Sequence, residues 1–144
     1  MTKTLKPVLA LSIAALTLLA GCAKSEATTG FNAIKKAMAD DKVEVKKVTH
    51  CEFIHYDLNK AAKEEKDDKV ADTYREMGNE VTYLYTFEDK SGKEFTATGE
   101  YSVKDKKAEY AVLVVGDDLA KAAWNLAVKD ADSHDYVTTG VLVK

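Results

Sequence analysis

The stretch Val81–Val103, VTYLYTFEDKSGKEFTATGEYSV, decides the fold. Val81, Tyr83, Tyr85 and Phe87 alternate with Thr82, Leu84 and Thr86. That period of two marks a half-buried strand, because successive side chains leave opposite faces of the sheet. Phe95, Ala97, Gly99, Tyr101 and Val103 alternate in the same way. Between the two runs, Asp89-Lys90-Ser91-Gly92-Lys93 is polar and supplies the glycine that a tight hairpin uses. Lys104 to Lys107 turn the chain again, and Ala108 to Val115 form a third, more continuously apolar strand, expected at the centre of the sheet. Three strands joined by short polar turns predict an antiparallel meander.

Upstream of the meander, Asp57 is placed to cap a helix from Leu58 to Met77, and Gly78-Asn79 to stop it. The middle of that helix, Lys63 to Lys69, is entirely charged and is either a solvated turn or an interruption. Val43, Val45 and Val48, followed by Cys51 to Tyr56, suit a strand whose parity shifts at Lys46-Lys47. Phe31, Ile34, Ala37 and Met38 fall at helical spacing, giving a helix over about 31–40. Downstream, Gly116-Asp117-Asp118 opens a helix with acids at its positive end. Its expected core stripe is Leu119, Ala122, Ala123, Leu126 and Ala127, with Trp124 at the edge. Tyr136 to Val143 form a last strand. The order αβαβββαβ predicts an α+β fold: an antiparallel sheet of about five strands with two to three helices packed on one face.

Charge narrows the partners. The chain has 21 Lys+Arg against 24 Asp+Glu, and two of the basic residues, Lys3 and Lys6, lie in the first six positions. Beyond them the chain is mildly acidic, which argues against nucleic acid. Arg75 is the single arginine, so bidentate phosphate clamps are scarce. The only proline is Pro7.

Few residues suggest chemistry. In His50-Cys51-Glu52-Phe53-Ile54-His55, a strand places His50 and Glu52 on one face and Cys51, Phe53 and His55 on the other. Cys51 and His55 would stand about 13 Å apart, too far to share one zinc ion or to form a dyad. Asp130-x-Asp132-x-His134-Asp135 begins like a calcium loop but has Asp135 where that loop needs glycine and Val141 where it needs a bidentate acid. No phosphate loop, nucleophile elbow or paired-cysteine motif is visible, so no catalytic or metal site is expected and the chain reads as a non-enzyme. Tyr83, Tyr85 and Tyr101 either fill the core face of the meander or form an interaction surface.

The N-terminal segment carries the one specific motif. Lys3 and Lys6 precede an apolar run, Val8 to Ala20, which ends in Leu19-Ala20-Gly21-Cys22. This resembles the lipobox of bacterial lipoprotein precursors. The resemblance implies cleavage between Gly21 and Cys22, a diacylglyceryl thioether on the Cys22 sulfur and, in many bacteria, an acyl chain on its amino group. Residue 23 is alanine, not the aspartate that retains many such proteins at the inner membrane. That implies the periplasmic face of the outer membrane, or the outer face of the cytoplasmic membrane in a one-membrane host. The expected organisation is a leader at 1–21, a lipidated tether at 22–30 and one domain at 31–144. With Cys22 claimed by lipid, Cys51 has no partner in the chain and is either buried and inert or free to pair between molecules. The function that follows is a lipid-anchored interaction or protective module with an envelope protein partner and no cofactor. The alternative is a lipoprotein that carries a small ligand between the meander and a covering helix.

Overall fold

The computed structural model describes the backbone of residues 6–113 and 117–144, and side chains from Cys22 onward except Asp117. Residues 1–5, at the start of the expected leader, the end of the expected third strand at Val114-Val115, and Gly116, expected to open the following helix, lie outside the described residues. In chain order the elements are α1 (Lys6–Asp40), β1 (Lys47–Tyr56), α2 (Leu58–Glu64), α3 (Asp68–Met77), β2 (Glu80–Glu88), β3 (Glu94–Ser102), β4 (Lys107–Val112), α4 (Asp117–Ala131) and β5 (Val137–Val143). The fold is α+β, with one antiparallel sheet in the order β4-β3-β2-β1-β5.

The meander forms in the expected register, from Val81 opposite Tyr101 to Phe87 opposite Phe95. Asp89 organises the hairpin, its carboxylate accepting from the backbone N–H groups of Ser91 and Lys93. Central position belongs to β2, however, and β4 is an edge strand with alternating half-exposure. The apolar run that suggested a central strand pairs with β3 through Val112, and the Leu113 N–H still donates to Thr96 O at 2.8 Å.

The charged Lys63–Lys69 segment interrupts the expected helix. Asp57 caps α2 by accepting from Lys60 N, and Asp67 caps α3 by accepting from Lys69 N and Val70 N. Gly78 ends α3 at φ +68°, a left-handed conformation that suits glycine.

Helices cover both faces of the sheet, not one. Cys51, Phe53, Val81, Tyr83, Tyr85, Phe87, Ala97 and Tyr101 face α1, where Ala27, Ile34 and Met38 meet them. Ile54 and Leu84 have the opposite parity and meet Trp124 and Ala131 of α4. The stripe expected on α4 is rotated: Leu119 is 66% and Leu126 70% exposed, while Trp124 is buried. Trp124 offers a larger apolar surface than either leucine, so it is the residue that α4 turns inward.

The tether expected at 22–30 is helical, as part of α1. Its periodicity lies in small residues: Ala23, Ala27, Gly30, Ile34 and Met38 are buried at spacings of three and four. Thr28 and Thr29 turn their hydroxyls back onto the carbonyls of Lys24 and Ser25, so both polar side chains are satisfied within the helix. Gly30 permits the close approach: a Cβ there would overlap the Tyr83 hydroxyl and lie 2.7 Å from Tyr101 Cβ. Gly99 makes the matching hole in β3, 2.5 Å from Ile34 Cδ1 by the same measure.

Gly30→Ala therefore tests the seat of α1. Alanine favours a helix by about 1 kcal/mol over glycine, yet overpacking here is expected to dominate and lower stability by about 1–3 kcal/mol. A fall in the urea midpoint at unchanged m-value is the expected reading; a rise would show that α1 stands further from the sheet.

Candidate functional site

The tyrosines marked as a possible surface are core residues in this fold. Tyr83 and Tyr85 are fully buried and Tyr101 nearly so. The Tyr83 hydroxyl donates to Ala27 O at 2.6 Å and the Tyr85 hydroxyl to Phe31 O at 2.8 Å. Burial, followed by the neighbouring Cys51, pushes both phenols well above their ordinary range. A strand's period shows which side chains share a face but not which face α1 will cover.

The histidine segment divides as the strand period requires. His50 Nε2 lies 2.9 Å from Glu52 Oε2 on one face. On the other face, buried His55 lies 2.7 Å from the Glu26 carboxylate of α1, which also accepts from Asn79 Nδ2 at 3.1 Å. Glu26 had no visible role in the sequence because its segment showed no large apolar residue. Cys51 is fully buried, and burial, with Glu52 adding to it, pushes its thiol up to about 12. In the Asp130–Asp135 segment, Ser133 Oγ donates to Asp130 O, and Asp135 lies 3.8 Å from Lys60 Nζ. Among the described residues no three His, Cys, Asp or Glu side chains are grouped to hold a metal ion.

One recess of about 320 Å³ lies beside α1, lined by Lys35, Ala39, Val43, Val45 and Val48 among others; two more lie on the α4 side of the sheet. One cavity of about 450 Å³ is lined by Thr82, Thr98, Glu100, Glu109, Ala111 and Trp124. A second, of about 380 Å³, shares Thr98 and Trp124 and adds Leu84, Leu113, Leu119, Ala120, Ala123 and Ala127. The first is polar and acidic at its far end; the second is apolar. A smaller recess beyond the acidic end is lined by Glu80, Glu100, Glu109 and Lys107 among others. Sequence reasoning missed this groove. Its strand residues could have been found as the even-numbered face of the meander, Thr82, Leu84, Thr98 and Glu100, left over once the aromatic face was assigned to the core.

Electrostatics at the acidic end is unbalanced. Glu100 stands directly opposite Glu109 in the β3–β4 register, an arrangement of like charges that destabilises a sheet. Lys107 Nζ reaches Glu109 at 3.1 Å, while no hydrogen bond or ion pair engages Glu100 among the described residues. The Glu80 carboxyl is held above its ordinary value of 4.5 by burial first, then by Glu100 and Asp105. At the junction of the two cavities, Trp124 is only 8% exposed, and its indole N–H is buried with no hydrogen-bond partner among the described residues. Leaving such a donor unsatisfied costs about 1–3 kcal/mol.

Comparison with known proteins adds no relative: no family model matches the chain, and no curated protein or solved structure is significantly similar to it.

Two measurements check this description. Because the fold raises the Glu80 pKa, its contribution to stability is fully present below about 4.5 and is lost as pH rises through the raised folded value. Glu80→Gln is therefore expected to raise the melting temperature at pH 7, with the gain shrinking towards zero at pH 4. A gain that is constant with pH would remove the electrostatic cause. For Cys51, alkylation by iodoacetamide at pH 8 is expected to be on the order of a hundredfold slower in the native chain than in urea; equal rates would contradict its burial.

Proposed function

We propose that this chain is a lipid-anchored lipoprotein of the bacterial envelope, fixed through Cys22, whose domain binds a partner or ligand at the membrane surface. The observation that carries the reading is the lipobox Leu19-Ala20-Gly21-Cys22 standing directly before the packed part of α1. Cys22 is exposed, whereas Ala23, the next residue, is 4% exposed and Ala27 is fully buried. A thiol so placed is open to lipidation, and the folded domain begins one residue beyond it.

This geometry changes what anchoring does. Eight extended residues would let the domain stand up to roughly 30 Å from the bilayer. As a helix the same residues rise only about 12 Å, and they are spent inside the domain. Lipid on Cys22 then holds the domain against the headgroups, in an orientation set by α1. Alanine at position 23 favours the periplasmic face of the outer membrane in a two-membrane host. Two or three acyl chains suffice for stable attachment, because each buried CH₂ contributes about 0.8 kcal/mol. Among the described residues no helix is long and apolar enough to cross a membrane.

Binding is a better reading than catalysis because the groove beside α4 supplies space, and among the described residues that line it there is no nucleophile–base pair. The same groove favours a small ligand as a second reading beside an envelope protein partner.

Metabolic labelling with palmitate tests the anchor. The wild-type chain is expected to incorporate label and to fractionate with membranes, and Cys22→Ser to lose both. Incorporation that survives the substitution, or a wild-type chain that stays unlabelled, would refute the anchor.

A further inference from the structure

We infer that the open edge of β5 pairs with β5 of a second copy of this chain, antiparallel about Thr139, to give a two-fold dimer with one continuous sheet. The inference rests on the strand alone and not on the lipid anchor.

An edge strand is a template for pairing unless a charge, a proline or a covering element blocks it. The sheet has two edges, β4 and β5. The β4 edge carries Lys107 and Glu109, joined as an ion pair at 3.1 Å. By contrast, β5 reads Val-Thr-Thr-Gly-Val-Leu-Val over Val137–Val143, with neither charge nor proline, and none of its residues is buried. Val141 is 40% exposed. Among the described residues its strand partner is β1 alone.

Ladder geometry identifies the open backbone groups. The Asp57 N–H donates to Tyr136 O at 2.9 Å, and the register runs regularly from Tyr56 opposite Val137 to Glu52 opposite Val141. In an antiparallel ladder both backbone groups of a residue point to the same side, and the side alternates along the strand. Tyr136, Thr138 and Gly140 therefore turn their N–H and C=O groups towards β1. Val137, Thr139 and Val141 turn theirs to the open side, where the Val137 N–H reaches only the His134 carbonyl, at 3.4 Å.

The same three positions choose the occupant. Thr139 lies opposite Ile54, and Val137 packs with the cluster of Trp124 and Ile54, so Val137, Thr139 and Val141 share the α4 face. Val-Thr-Val is a palindrome about Thr139. Antiparallel pairing centred there sets each Val137 opposite Val141 of the other copy and Thr139 opposite itself, every pair being of the hydrogen-bonded kind. No like charges oppose one another, and a Thr–Thr pair is among the favourable cross-strand pairs. A dyad normal to the sheet makes the contact isologous and closed. It also leaves both copies of α1 on one face, so two chains anchored to one membrane can pair in this way.

Sedimentation equilibrium of the full-length chain in non-ionic detergent, under reductant so that Cys22 forms no disulfide, is expected to show a reversible dimer. Thr139→Lys and Thr139→Glu each set like charges opposite at the dyad and are expected to raise the dimer Kd about tenfold or more, while an equimolar mixture of the two restores pairing. Val141→Pro removes only an outward N–H, so it is expected to weaken the dimer and leave the circular dichroism spectrum intact. In the wild-type chain, exchange of the Thr139 amide hydrogen is expected to slow as protein concentration rises, and that of Gly140, turned to β1, to stay constant. Should the charged variants unfold, Val141→Pro and the wild-type exchange still decide. A chain that stays monomeric would overturn the proposal, as would a dimer indifferent to any of the three substitutions. So would a mixture of the folded charged variants that stays monomeric, or Thr139 exchange that is independent of concentration. None of these outcomes bears on the palmitate result.

Discussion

Everything else in this fold depends on how α1 is seated on the sheet. Two buried tyrosine hydroxyls need acceptors, because an unpaired hydroxyl in an apolar interior is costly. They find them in the carbonyls of Ala27 and Phe31, one helical turn apart. Tyr83 and Tyr85 share a strand face, so their spacing along β2 matches one turn of the helix above. Sliding α1 by one residue would strand both hydroxyls and drive a side chain into the space that Gly30 leaves open. Burial energy holds the helix down, and these two hydrogen bonds with two glycines set its register. The same register brings the half-buried Glu26 carboxylate within 2.7 Å of the buried His55 ring.

The two faces of the sheet are filled to different degrees. Under α1 the aromatic side chains interlock, with Phe31 stacked on Tyr85 at 5.2 Å and Phe87 on Phe95 at 5.7 Å. Under α4 the packing rests on Trp124 and Ala131 against Ile54 and Leu84, and two leucines of the helix remain exposed. Trp124 is the one large buried side chain of α4, beside smaller Ala127, Val128 and Ala131, and the groove lies next to it. Close packing and the two larger open spaces in this way lie on opposite faces. Charge can remain unbalanced at Glu100 and Glu109 because the tightly packed face supplies the stability.

Much of this was legible in the chain, for reasons that are local. Alternation over Val81–Val103 marked two strands and the hairpin between them, since period two and hairpin chemistry act within a few residues. Asp57 and Gly78 signalled the start and stop of the helical stretch from their own side chain and backbone, while the Asp67 cap that settles the break in the charged Lys63–Lys69 run came only with the structure. The helical character of 22–30 was harder to see: alanine and glycine carry little hydropathy, and they become an interface only once a sheet approaches closely enough to need small residues. The role of Glu26 was hidden for the same reason.

By itself the sequence determined the α+β class and the meander, and it carries the contiguous motif Leu19-Ala20-Gly21-Cys22 on which the proposed anchor rests. Each of these is written in short-range pattern or in one contiguous motif. Tertiary structure alone decided that β4 stands at the edge, that helices cover both faces, that Trp124 and not Leu119 or Leu126 turns inward, and that Glu100 meets Glu109 beside an indole unpartnered among the described residues. Those outcomes depend on which surfaces compete for burial once strands far apart in sequence have paired, and no local pattern contains that competition.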